Sequence, residues 1–153
     1  VYKRQGSACA ELGERALIGA GWTDFSDAQL PDHVKVVGAV NYATVFPACR
    51  AVVHHGGSGT TAASLRAGVP TLILSMDANQ TLWGGQIKKL KVGTTRRFST
   101  TTRESLIADL RQILAPDYVD RARELANGMT KPGESAEAAA DAMEQFARSR
   151  CSA

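Results

Sequence analysis

Residues 54 to 61, His54-His55-Gly56-Gly57-Ser58-Gly59-Thr60-Thr61, bring two imidazoles, three glycines and three hydroxyls into eight positions. An apolar run, Ala51-Val52-Val53, leads into them, and an alanine-rich segment ending at Ala67-Gly68 follows. A strand delivering such a loop onto a helix N-terminus makes an anion site. The first helical amides lack intrahelical acceptors, and the helix dipole is positive there. Bare glycines let a phosphate approach the backbone, while Ser58, Thr60, Thr61 and an imidazole can add donors. Isolated glycine turns often carry no ligand; the density of donors argues for one here. No Gly-Lys-Ser/Thr follows, so this is not a Walker A loop, and it matches G-x-G-x-x-G poorly. His54 precedes the turn and reads as packed structure. His33, before another strand at the surface, reads as structural too.

The elements that must position this loop follow in order. Ser7 to Glu14 reads as the end of a helix, Arg15 to Ala20 as a short strand closed by Gly21-Trp22, and Val34 to Val37 as the next strand. Asn41 opens a short helix to about Phe46, interrupted at Pro47. Ala51 to Val53 is the strand feeding the glycine turn, with a helix from Thr60 to Ala67 behind it and Gly68-Val69-Pro70 ending that helix. A strand at Thr71 to Leu74, a helix from Gln80 to Leu90 and a small strand at Val92 to Thr95 come next. Thr102 caps a helix through Leu114, with Glu104 and Ser105 in its first turn. Pro116 starts another helix to about Asn127, and Gly133 breaks the chain before a last helix, Ser135 to Arg148. Strands alternating with helices predict right-handed βαβ crossovers. The fold class is α/β, a Rossmann-like parallel sheet flanked by helices. Ligands on such sheets sit at the carboxyl ends of the strands, where Gly21, Gly38 and the His55 loop gather.

Composition narrows the partners. At 44% hydrophobic and 22% charged residues, 153 residues can bury an adequate single core. The net charge of +3 is mild, and Lys88-Lys89-Lys91 and Arg96-Arg97 read as a solvated helix face. Nucleic-acid binding would want a basic stripe with interleaved aromatics, which make up only 6% here. Cys9, Cys49 and Cys151 are odd in number and far apart, which suits a reducing cytoplasm better than a disulfide frame or zinc site. No apolar run approaches the about 18 residues needed to cross a bilayer. Val1-Tyr2-Lys3-Arg4-Gln5 matches the translation of a transposon end used in sequencing-library preparation. Residues 1–5 therefore read as non-native.

The run from His54 to Ala63, then Arg66-Ala67-Gly68-Val69-Pro70, then Asn79-Gln80 and Trp83, resembles the donor-binding signature of family 1 nucleotide-sugar glycosyltransferases of GT-B fold. The likeness runs from about Gly21-Trp22 to beyond Arg123. It leans toward actinobacterial enzymes that glycosylate natural products, and among those toward mycobacterial glycolipid or glycopeptidolipid glycosyltransferases. The resemblance implies that residues 6–150 are a donor-binding, C-terminal domain, with the first part of that domain and an N-terminal acceptor domain lying upstream. It implies inverting, metal-independent transfer of a hexosyl or deoxyhexosyl group from a UDP- or dTDP-sugar. The acceptor would be a lipid, peptidolipid or hydrophobic natural-product hydroxyl, in the cytoplasm or at the inner face of the membrane, with no cofactor. The general base of the family sits in the acceptor domain, so no catalytic residue is expected here. A non-catalytic nucleotide-binding or protein-interaction domain of the same fold is the alternative.

By the same resemblance the diphosphate falls on His55, with Gly57, Ser58, Gly59 and Thr60 as donors. Asn79-Gln80 stands where the family usually has Asp-Gln holding sugar hydroxyls. Asn79 gives up charge-assisted bonding, and Asp77 is a possible substitute. The family often places an aromatic residue under the nucleobase; this chain has Ala39, which leaves base binding to the backbone near Val40 and to packing by Trp22. Ala63 replaces the glutamate usual for uridine-diphosphate ribose, a departure that favours a deoxythymidine diphosphate donor. Trp83 is expected to pack behind the site.

Overall fold

The protein is described by a computed structural model over residues 2–21, 23–26 and 29–151. Its elements run α1 (Tyr2–Glu11), β1 (Ala16–Gly19), β2 (Val34–Val37), α2 (Tyr42–Val45), β3 (Val52–His54), α3 (Ser58–Arg66), β4 (Thr71–Ser75), α4 (Ala78–Lys89), β5 (Gly93–Arg97), α5 (Arg103–Ile113), α6 (Pro116–Asn127) and α7 (Pro132–Cys151). Every strand pairing is parallel, as the strand–helix alternation predicts. The strands form two sheets where one was expected: β1 beside β2, and β3-β4-β5. Registers align Ala16 with Val34, Val52 with Thr71, and Thr71 with Gly93.

β4 carries the core. Its five residues are all buried, and alternate side chains face opposite ways. Leu72 and Leu74 pack with Ala8 of α1 and Leu106, Leu110 and Ile113 of α5. Ile73 meets Ile87 of α4, Val92 and Ala122 of α6. A third cluster, Phe46, Val52 and Val69, seats α2 and α3 against β3. Burying each large aliphatic side chain contributes about 1.5–3 kcal/mol, so this strand is the least dispensable part of the sheet. A buried polar chain fixes α3 on β4: Thr71 Oγ1 donates to Ser64 Oγ at 2.9 Å, and Ser64 Oγ donates to the Thr61 carbonyl at 2.9 Å. Gly84 lets α4 lie directly on β5, because a Cβ there would collide with the Thr95 side chain.

Element boundaries and side-chain contacts correct several of the sequence expectations. α3 begins at Ser58, so Ser58, Gly59 and Thr60 form its first turn and the loop shortens to His55–Gly57. As read, the short α-helix stops before Pro47: α2 ends at Val45 with Phe46 as its C-cap, and Pro47 falls in the separate 3-10 turn Phe46–Ala48, where its missing N–H is not needed. Gly133 lies within the first turn of α7, after Pro132, and breaks nothing. Arg96 is not a solvated cation: it makes a bidentate pair with Asp109 of α5, at 2.6 and 2.9 Å. Lys88 and Lys89 are exposed in the last turn of α4, as read. His33 is structural as expected, its Nε2 2.8 Å from the Gly6 carbonyl.

Candidate functional site

β3 ends at His54, and the chain turns through His55, Gly56 and Gly57 into α3. The turn needs Gly56, whose φ is +98°; a Cβ there would lie 2.7 Å from Ile73 Cγ2 and 3.2 Å from Gln80 Cβ. His54 shapes the turn from within. Its Nδ1 accepts from the Gly56 amide at 2.9 Å, so the neutral ring carries its proton on Nε2, a buried nitrogen with no partner among the described residues. Burial, and then the neighbouring His55, push the His54 pKa from 6.5 down to about 4. His55 is exposed and edge-on to His54, with ring centroids 6.4 Å apart.

The first turn of α3 is the part of it that is exposed, at Ser58 and Gly59. The first backbone bond at its start runs from Thr61 N to Gly57 O at 2.9 Å, so the N–H groups of Ser58, Gly59 and Thr60 precede it. α2, α4 and α5 occupy such amides with the side chains of Asn41, Asp77 and Thr102. The N-cap of α3 is Gly57, with no side chain to offer. Ser58 and Gly59 are exposed and Thr60 is half-buried. Thr61 is not a ligand donor as its hydroxyl suggested: it is buried, and its Oγ1 donates back to the Gly57 carbonyl at 2.9 Å.

α4 brings Gln80 against the turn at Gly56. Its side chain is already engaged, with Nε2 donating to Asp77 Oδ2 at 2.7 Å and Oε1 accepting from Met76 N at 2.7 Å. Asn79 is exposed in the first turn of α4. Asp77 is the helix cap, accepting from Gln80 N at 2.9 Å. Trp83 is 39% exposed, so it does not lie fully behind the site. Val40 is half-buried just before Asn41, the cap of α2, a helix that packs on α3. Ala63 is half-buried against the Phe46 cluster. Trp22 lies outside the described residues. Among those residues, no three His, Cys, Asp or Glu side chains gather to hold a metal ion, and no helix is long and apolar enough to cross a membrane.

The feature that sequence reasoning undervalued is His54. A histidine two residues before a strained glycine can close an Asx-like local bond, and that spacing was the available signal.

Comparison with known proteins gives this geometry a context. The family model described as erythromycin biosynthesis protein CIII-like, C-terminal domain, matches residues 22–145. A Mycobacterium tuberculosis protein described as an uncharacterized glycosyltransferase is 65% identical over 142 residues, 93% of this chain and 34% of its own length. The vancomycin aglycone glucosyltransferase of Amycolatopsis orientalis is 35% identical over 79% of this chain and 30% of its own. The solved structure of a spinosyn rhamnosyltransferase complexed with thymidine diphosphate superposes with a TM-score of 0.72 at 22% identity, over 82% of this chain and 35% of that one. The chain thus spans about a third of the length of the relatives it matches.

Proposed function

The chain belongs to the erythromycin biosynthesis protein CIII-like C-terminal domain family, a GT-B glycosyltransferase domain, and from that premise we propose that it holds the nucleoside diphosphate of an activated sugar at the start of α3. The carrying observation is the run of amides at Ser58, Gly59 and Thr60, ahead of the first bond of α3 and behind a cap residue without a side chain. As the sugar–phosphate bond breaks, negative charge builds on the departing diphosphate. Fixed donors at that point stabilise the transition state more than the ground state. His55, exposed beside the same amides, adds a donor from the flank.

In the full protein this domain would serve inverting transfer of a hexosyl or deoxyhexosyl group to a lipid, peptidolipid or hydrophobic natural-product hydroxyl, with the general base supplied from an upstream acceptor domain. Asn79 is the sugar contact best supported, since it is exposed at the start of α4 while Gln80 is tied to Asp77 and Met76. Gln80 would have to exchange those partners to reach a sugar hydroxyl. Ala63 offers no acceptor to a ribose hydroxyl, which supports dTDP over UDP.

Calorimetric titration of dTDP and UDP into this chain and into His55→Ala tests the reading. Loss of one charge-assisted donor should weaken dTDP roughly 10- to 100-fold. Equal affinity in both proteins would remove His55 from the site, and tighter UDP than dTDP would overturn the reading of Ala63.

A further inference from the structure

Just past the carboxyl end of β4, where Gln80 approaches the turn at Gly56, a ring of hydrogen bonds closes on itself. Asp77 Oδ1 accepts from Gln80 N at 2.9 Å and so caps α4. Asp77 Oδ2 accepts from Gln80 Nε2 at 2.7 Å, and Gln80 Oε1 accepts from Met76 N at 2.7 Å. Thr81 Oγ1 donates to the Asp77 carbonyl at 2.8 Å and lies 3.2 Å from Ser75 Oγ, which ties the ring to the buried last residue of β4. Asp77 is the only acidic residue from Thr71 to Lys89, so the one negative charge in this turn is directed at Gln80. A hydrogen bond to a carboxylate is about twice as strong as one between neutral groups. A sugar hydroxyl is neutral and does not readily displace Asp77 from Nε2.

We infer that Asp77 is a specificity-determining residue of the donor site: by holding Gln80 it makes the site tolerant of a missing sugar hydroxyl, so that deoxy and fully hydroxylated dTDP-sugars are taken alike. This rests on the donor reading above and states which sugars that site accepts. Selectivity for a hydroxyl comes from a polar group left unpaired when the hydroxyl is absent. Gln80 is never left so, because Met76 and Asp77 satisfy both ends of its amide with or without a sugar. A deoxysugar therefore meets no penalty at Gln80, and a hydroxylated one gains only the difference between two bonds. Asn79 is exposed, so water replaces a hydroxyl that is missing there. Asp77 acts through Gln80, as a positioning residue.

Calorimetry with dTDP, dTDP-glucose and a series in which each glucose hydroxyl in turn is replaced by hydrogen tests this, on the 153-residue chain and on Asp77→Ser. Serine keeps one oxygen for the Gln80 amide, so α4 stays capped and the melting temperature should hold, while Nε2 is released. The native chain should bind the whole series within about threefold. Measured relative to dTDP, Asp77→Ser should bind dTDP-glucose about three- to tenfold more tightly than the native chain does, and one deoxy analogue should lose that gain. Adding Gln80→Ala should flatten the series again, which a role confined to capping α4 would not produce. A native chain that already separates the series by about tenfold, a series left flat in Asp77→Ser, or a gain that survives Gln80→Ala would each overturn the inference and leave the donor reading standing. Failure of dTDP itself to bind the native chain would remove both.

Discussion

The ring of His55 rests against the bare Cα of Gly57: a Cβ at residue 57 would fall 2.7 Å from Nε2 and 3.3 Å from Cε1. The three nearest atoms to that Cβ position all belong to the His55 ring, and Gly57 has an ordinary φ of −61°. Gly57→Ala should therefore fold normally, an N-cap change costing about half a kcal/mol, while the imidazole swings off its seat. Its dTDP affinity should drop as far as that of His55→Ala, and the double variant should fall no further. Additive losses in calorimetry would separate the two residues.

Gly56 behaves oppositely. With φ at +98° and Ile73 and Gln80 crowding the Cβ position, Gly56→Ala strains the backbone and the core together. We expect a loss of about 2–4 kcal/mol, lowering the melting temperature roughly 5–12 °C. Calorimetric scanning distinguishes this from the Gly57 variant, where binding falls and melting does not.

His54 makes stability depend on pH. Its folded pKa, about 4, lies below the unfolded value of 6.5, so the unfolded state binds the proton more readily. The stabilisation is complete above pH 6.5 and is lost as pH falls toward 4. Between pH 7 and pH 5 the linkage amounts to about 2 kcal/mol. His54→Asn keeps an acceptor for the Gly56 amide but cannot titrate, so urea midpoints should separate at pH 5 by that much less acid loss in the variant.

Asp109 ties α5 to β5 through its paired bonds to Arg96, which raise the arginine's pKa. Its side chain is 9% exposed against 33% for Arg96, so Asp109→Ala would strand a partly shielded cation. The expected cost is about 2–3 kcal/mol in urea denaturation, less than for a fully buried pair because water still reaches the guanidinium. Asp109→Ala with Arg96→Met should recover part of it.

Much of the fold was legible because local chemistry dictated it. Thr102 caps α5 as read, with Ser105 completing a reciprocal box, and Pro116 opens α6 where the missing N–H is harmless. β2 and α6 run over the residues read for them, while the start of α3 did not. Ser58 and Gly59 have poor helix propensity, and the helix reaches them because Thr61 and Ser64 are anchored to β4 through space. Arg96 looked like surface charge because its partner lies thirteen residues away on another element. The division into two sheets could not be read from any local pattern, since β1 and β3 carry ordinary strand sequences and only their spatial order leaves a gap.

α7 shares no residue with the three buried clusters, and residues 136–149 are exposed along it. A twenty-residue helix reaches about 30 Å, so most of this one extends past the surface that folds cooperatively. Its melting is then decided by its own alanines and by pairs such as Arg148 with Glu144, not by the sheet. Heating should unravel the tail first and gradually, a sloping baseline ahead of the main transition, and a protease that trims it would leave that transition where it was.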